Sequence, residues 1–260
     1  MLKRVLLALL ALLALAVLGL LVASKWTPAA YRPPELSPEQ QEEQMRRFVN
    51  HVNQFGDQAG AGGPIEWTLT QQQANDYLAS MDAIASLNFD HPVSPRAQLQ
   101  QAGLEAPAVA FEDGRITLMA RSREYGAVVS VDLGFEFDPE GHVAANVSGV
   151  RVGELPLPQD QVQPLLQKVS RQLVARLQPA TRAGGDGPVE ASSQLLLQVL
   201  TMLDGQHVEP EFNWELGNRR RVRITGVDIA DGRLTLRAQT VARRSSRASR
   251  PTASTRTARG

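Results

Sequence analysis

A chain of 260 residues with 43% hydrophobic side chains and no cysteine excludes a disulfide framework, a thiolate metal site and a cysteine nucleophile. Its zero formal charge is unevenly spread: residues 26–241 hold all 27 acidic but only 18 of the 27 basic side chains, a net −9, while Ala242–Gly260 carries six Arg and no acid. The acidic body repels phosphates, so no nucleic acid partner is expected.

Lys3 and Arg4 precede an unbroken apolar run of 19 residues, Val5–Ala23. At 1.5 Å per residue this run makes about 28 Å of helix, close to the hydrocarbon thickness of a bilayer. It is longer and richer in Leu than the apolar core of a signal peptide. Residues 1–25 therefore read as an uncleaved transmembrane anchor, with signal cleavage at Val22-Ala23-Ser24 as the alternative. Leading cations stay on the cytoplasmic side. The expectation is a single-pass cell membrane protein with an extracytoplasmic C-terminal domain.

Residues 26–64 read as a spacer and an amphipathic helix. Pro28, Pro33 and Pro34 lead to Ser37-Pro38-Glu39-Gln40, a capping-box pattern with Pro at the first helical position. Met45, Phe48, Val49 and Val52 follow at helical spacing and predict a helix over 38–55. Gly56–Pro64 then reads as a break. The exported domain spans 65–241, beginning with a short strand, Ile65–Leu69. Thr70-Gln71-Gln72-Gln73 is a second capping box, opening a helix through Ala74, Tyr77, Leu78 and Met81.

From Ala108 the apolar period becomes two. Val109 and Phe111, then Asp113-Gly114, then Ile116, Leu118 and Ala120, form the pattern of a tight hairpin. The next strand puts Val129, Val131, Leu133, Phe135 and Phe137 on one face and Ser130, Asp132 and Glu136 on the other. After the turn Asp138–Gly141, Val143, Ala145 and Val147 give way to Val150 and Val152. That parity change beside Gly149 predicts a β-bulge. Helical stripes return with Val162, Leu165, Leu166, Val169, Leu173 and Leu177, and, after the linker 178–188, with Leu195, Leu196, Val199, Leu200 and Leu203. Phe212, Trp214 and Leu216 then alternate before a Gly217-Asn218 turn, followed by Val222, Ile224, Val227 and Ile229, Asp231-Gly232, and Leu234, Leu236 and Ala238. The fold class expected is α+β: an N-terminal transmembrane helix, then an antiparallel meander sheet packed against amphipathic helices.

Val109–Leu118 and Val227–Leu236 agree at six of ten aligned positions. Two related hairpins across one sheet would explain this, and so would the shared demands of any half-buried hairpin with an Asp-Gly turn. Residues 242–260, rich in Arg, Ser and Thr, are predicted to be disordered, suited either to anionic headgroups and wall polymers or to plain solvation.

No chemical constellation emerges. His51, His91, His142 and His207 are scattered, with no ligand spacing. Asp204, His207, Glu209 and Glu211 read as solvated polarity in a helix-to-strand connection. A nucleophile elbow, a Ser-x-x-Lys pair and a phosphate loop are all missing from the sequence. The expectation is no enzyme, no cofactor and no metal.

Trp67–Ala79, WTLTQQQANDYLA, resembles the strand-then-helix segment of YpmS-like bacterial envelope proteins. Val109–Leu118, the long strands after it, and Gly153–Pro158 continue the likeness over roughly 65–240. Gln71, Gln72 and Gln73 stand where that family usually has acidic residues, and the first helix and the Arg tail fall outside its pattern. The resemblance implies a single-pass exported protein without an assigned activity. The functional expectation is an extracytoplasmic module binding a lipid or other amphiphile, with a non-catalytic envelope scaffold or protein-interaction domain as the alternative. Its expected ligand groove comprises Phe135, Phe137, Leu165, Leu166, Leu173, Leu196 and Leu200. Partners are the membrane, through Val5–Ala23, and a lipid or an envelope protein.

Overall fold

The computed structural model describes residues 25–87, 94–158, 201–202, 206–214 and 220–241. Its elements are α1 (Pro38–Ala61), β1 (Pro64–Thr70), α2 (Gln71–Ala79), α3 (Met81–Ala85), α4 (Pro95–Gln101), β2 (Leu104–Glu112), β3 (Arg115–Ser122), β4 (Ala127–Phe137), β5 (Val143–Val152), β6 (Leu155–Pro156), β7 (Glu211–Trp214), β8 (Arg220–Ala230) and β9 (Arg233–Val241). The apolar run Val5–Ala23, the helical stripes of 162–177 and 195–200, Leu203, the linker 178–188, the Gly217-Asn218 turn and the Arg tail lie outside the described residues. Among those described, no helix is long and apolar enough to cross a membrane.

The fold is α+β, as the periodicity predicts, but the strands form two antiparallel sheets rather than one. One sheet runs β1-β9-β8-β7, and the other is the meander β2-β3-β4-β5-β6. The single-sheet reading fails because β1, which opens the domain, pairs with β9, which ends it, from Pro64↔Gln239 to Thr70↔Arg233. Short-range patterns carry no information about a pairing that distant in the chain.

Both capping boxes form. Ser37 Oγ accepts from the Gln40 amide at 3.3 Å while Gln40 Oε1 accepts from the Ser37 amide at 2.8 Å. Thr70 and Gln73 repeat the arrangement at 3.2 and 2.9 Å. α1 does not stop at 55, however, but runs through Gly56 and Gly60 to Ala61. Phe55, Gly56 and Ala59 are buried there, and Phe55 and Ala59 pack in a cluster with Ile65, Phe212, Val222 and Ala238. Such burial contributes roughly 1.5–3 kcal/mol for a large side chain and offsets the roughly 2 kcal/mol helix penalty of the two glycines. The second helix likewise differs: α2 ends at Ala79, and Met81 opens the separate α3 after the fully buried Ser80.

The two similar hairpins lie in different sheets and meet turn to turn. Asp113 and Asp231 have φ of 49° and 50°, followed by Gly114 and Gly232 at 75° and 71°, the left-handed pair that a two-residue hairpin turn requires. The Gly114 amide donates to the Ile229 carbonyl at 3.0 Å, and the Gly232 amide donates to the Phe111 carbonyl at 3.1 Å. In the sequence alignment Gly114 matches Gly232 and Phe111 matches Ile229, so the two bonds are equivalents of one another. The same holds for the core between the sheets, where Val109 and Val227, Phe111 and Ile229, and Ile116 and Leu234 share one cluster with Ala74 and Leu78 of α2. The internal similarity is thus a local pseudo-two-fold contact.

β2 is an end strand of its sheet, yet its backbone is not left open. Gln71 and Asn75, one helical turn apart on α2, face it with their amide groups. Asn75 donates to the Val109 carbonyl at 2.9 Å and accepts from the Val109 amide at 2.7 Å, and Gln71 Oε1 accepts from the Phe111 amide at 3.0 Å. Two side chains therefore replace a neighbouring strand.

The bulge predicted beside Gly149 forms, as a register shift in β5 opposite Asp132 and Leu133. A Cβ on Gly149 would lie 2.9 Å from Asp132 Oδ2, so only glycine fits without a shift. Asp132 and Ser130, which the alternation puts on the face opposite Val129 and Val131, are covered there: they are 5% and 0% exposed. Asp132 accepts from Thr117 Oγ1 at 2.7 Å and from the Arg151 guanidinium at 2.9 Å. On the same face, Tyr31 packs with Ala108, Ala110, Met119 and Val128, and its hydroxyl donates to the Ala106 carbonyl at 2.8 Å. The segment leading to α1 thus straps the meander on the side that the sequence pattern left polar.

Candidate ligand grooves

An open groove of about 460 Å³ lies where the strap, α2, α3, α4 and the start of β2 converge. Leu36, Leu78, Met81, Leu99, Leu104 and three prolines supply its apolar side, and Glu35, Gln41, Arg96, Gln100 and Glu105 give it a polar share almost as large. The helices around it are fixed by polar contacts. Asp82 Oδ1 accepts from the Arg96 amide at 3.1 Å and from Ser94 Oγ at 3.0 Å, tying α3 to the start of α4. The Arg96 guanidinium donates to the Ala79 carbonyl at 2.8 Å, which holds its charge beside the end of α2. Glu105 is ion-paired with Arg123. The β2 backbone kinks here: Ala106 has φ 45°, and the pairing with β3 shifts between Glu105 and Ala108. The strap is tied to this kink, because the Tyr31 hydroxyl donates to the Ala106 carbonyl. An apolar wall with fixed charges at hand suits an amphiphile, whose tail would be desolvated while its polar end meets Arg96 or Glu105.

A second groove of similar volume, about 460 Å³, runs between α1 and α2 and is polar. Gln44, Arg47, Asn50, His51, Gln54, Asp76 and Tyr77 line it. His51 stacks on Trp67 with ring centroids 4.6 Å apart, and Phe48 meets Tyr77 edge-on at 5.3 Å. The Trp67 indole nitrogen is buried with no acceptor among the described residues. Burial lowers the His51 pKa from 6.5, against a hydrogen bond with the Thr68 backbone that works the other way. Burial also raises the Asp76 carboxyl and the Tyr77 hydroxyl above their usual values, with Arg47 opposing both shifts. The Tyr77 hydroxyl lies 3.5 Å from His51 Nδ1, at the edge of hydrogen-bond distance.

At the β4–β5 turn, Asp138, Glu140 and His142 bring ligand atoms within 4.8 Å of one another. Asp138 is already committed to the turn, accepting from the His142 amide at 2.8 Å and meeting the His142 ring at 2.9 Å. Despite some desolvation, these bonds hold its carboxyl below the usual range. The arrangement closes a turn.

Of the predicted groove residues, Phe135 and Phe137 are half-buried and pack together with Val143, Ala145, Met202 and Val208. Phe135 also reaches the inter-sheet core. Leu165, Leu166, Leu173, Leu196 and Leu200 lie outside the described residues. His91 and Asp204 lie there too, whereas Glu209 and Glu211 are not free loop polarity: both pair with Arg223 of β8. The groove beside the strap is built instead from Leu78 and Met81, which the helical period marked, together with Leu36, Leu99 and Leu104, which it did not. Ser94-Pro95, a helix-start signal, was the local clue to α4.

No protein-family model matches the chain, and neither a curated protein nor a solved structure matches it.

Proposed function

We propose that this protein is a non-catalytic binding module, anchored by Val5–Ala23 with its domain outside the cytoplasm, and that the groove between the strap, α3, α4 and β2 takes an amphiphile from the membrane. The observation that carries this reading is the composition and place of the groove. Leu36, Leu78, Met81, Leu99 and Leu104 present an apolar wall, and Arg96 and Glu105 give it polar groups. Its volume of about 460 Å³ lies within the range of small-ligand sites. Pro33 and Leu36 of its wall follow the apolar run closely in sequence. Ten residues from Ala23 to Pro33 span at most about 36 Å, so the groove stays within reach of the bilayer surface.

The test is photocrosslinking. Full-length protein in nanodiscs would be irradiated with a phospholipid bearing a photoreactive acyl chain, then digested and mapped by mass spectrometry. Crosslinks should fall in peptides covering 78–107, and Leu99→Glu should abolish them while leaving any crosslinks to 5–23. Crosslinks confined to 5–23 in the unsubstituted protein would remove the amphiphile and leave an anchored scaffold.

A further inference from the structure

The meander's β3–β4 turn faces the point where the chain leaves the apolar run. The Lys25 ammonium donates to the Tyr125 carbonyl in this turn, and a Cβ on Gly126 would lie 3.3 Å from Lys25 Nζ. Six residues on, Tyr31 is fixed in the core of the meander, and a turn closed by its amide on the Pro28 carbonyl at 2.9 Å shapes the path between. The strap is therefore held at both ends. Its first residue belongs to the β3–β4 end of the sheet.

That end also carries the two most exposed large hydrophobic side chains among the described residues, Trp26 at 64% and Tyr125 at 56%. Single exposed aromatics are ordinary on protein surfaces. Here both belong to one small region, adjoining Lys25, two residues beyond the apolar run. Trp and Tyr have an apolar body and a polar tip, which places them preferentially at the headgroup level of a bilayer. Lys25 and Arg121 add positive charge, Glu124 and the exposed Glu154 of the adjoining β5–β6 turn add negative charge, and Arg123 is balanced by its pairing with Glu105. The patch is aromatic first and carries little net charge. It thus fits the interface of a bilayer better than a highly charged polymer.

We propose that the β3–β4 turn is a membrane-contact edge: Trp26 and Tyr125 seat in the headgroup layer and hold the meander upright on the bilayer. This rests on reading Val5–Ala23 as an anchor. β3 and β4 run from this turn to the opposite end of the sheet, where the Asp138–Gly141 turn lies. At about 3.3 Å per residue, the eleven residues of β4 separate the two ends by roughly 35 Å. An upright domain therefore has one turn in the headgroups and the other well out in water.

The absence of cysteine makes the test direct. Tyr125→Cys and Glu140→Cys would each be labelled with a polarity-sensitive fluorophore in the full-length protein. Both would be reconstituted into phosphatidylcholine–phosphatidylglycerol vesicles containing a headgroup-labelled quencher lipid. Flotation with the vesicles checks the anchor separately. The expected result is severalfold stronger quenching and a bluer emission at 125 than at 140, with Glu124→Cys behaving like 125. Protein that floats but shows equal quenching at 125, 124 and 140 would overturn the contact edge while leaving the anchor intact. Protein that does not float would overturn both.

Discussion

At the residue scale, Asn75 stands in for part of a missing strand. It is 8% exposed, and its amide satisfies both backbone groups of Val109 on an edge strand. Asn75→Ala would leave a buried N–H and C=O without partners, each costing about 1–3 kcal/mol. A urea melt should show a loss of roughly 2–4 kcal/mol, large beside typical surface substitutions. A loss under about 0.5 kcal/mol would mean that water takes over both groups. Nothing in the sequence announces this role. An Asn on an amphipathic helix looks like any polar side chain until the strand it meets is known.

At the element scale, α1 shows how tertiary contacts reset a local reading. Its start follows from the Ser37 capping box, but its end follows from what Phe55 and Ala59 bury. The same helix carries His51 over Trp67, with a pKa lowered by burial. A lowered folded-state value means that the unfolded chain binds the proton more tightly. The contribution of this group is present above the ordinary value of 6.5 and is lost as pH falls below it toward the folded value. Melting temperature should therefore drop between about pH 7.5 and pH 5, and His51→Gln should make that drop smaller. Identical drops in the two proteins would show that the ring protonates without resistance from the fold. Asp76 works with the opposite sign, because its raised value favours the folded state while the carboxyl is neutral. Comparing the two proteins cancels its contribution.

At the scale of the whole molecule, one arrangement links the parts: β1 and β9 join the two ends of the domain, while the meander forms between them and is strapped by the segment that comes from the apolar run. The proposed topology puts this entire assembly outside the cytoplasm. A reporter active only outside the cytoplasm, fused after Gly260, should function, and a reporter confined to the cytoplasm should not. The reverse pattern would overturn the orientation set by Lys3 and Arg4.

The sequence by itself determined what depends on near neighbours. Capping boxes at Ser37 and Thr70, Asp-Gly turns at 113–114 and 231–232, and the bulge at Gly149 were legible because each is a matter of a few adjacent residues. The α+β class followed from the same local periods. Tertiary structure decided the rest: that there are two sheets, that the similar hairpins bond to each other, that Ser130 and Asp132 are covered, and that the strap, α3 and α4 border an open groove. The physical reason is range. Hydrogen-bond geometry and rotamer preference act within a turn of chain, whereas burial depends on which distant surface arrives, and periodicity shows only that a face seeks cover.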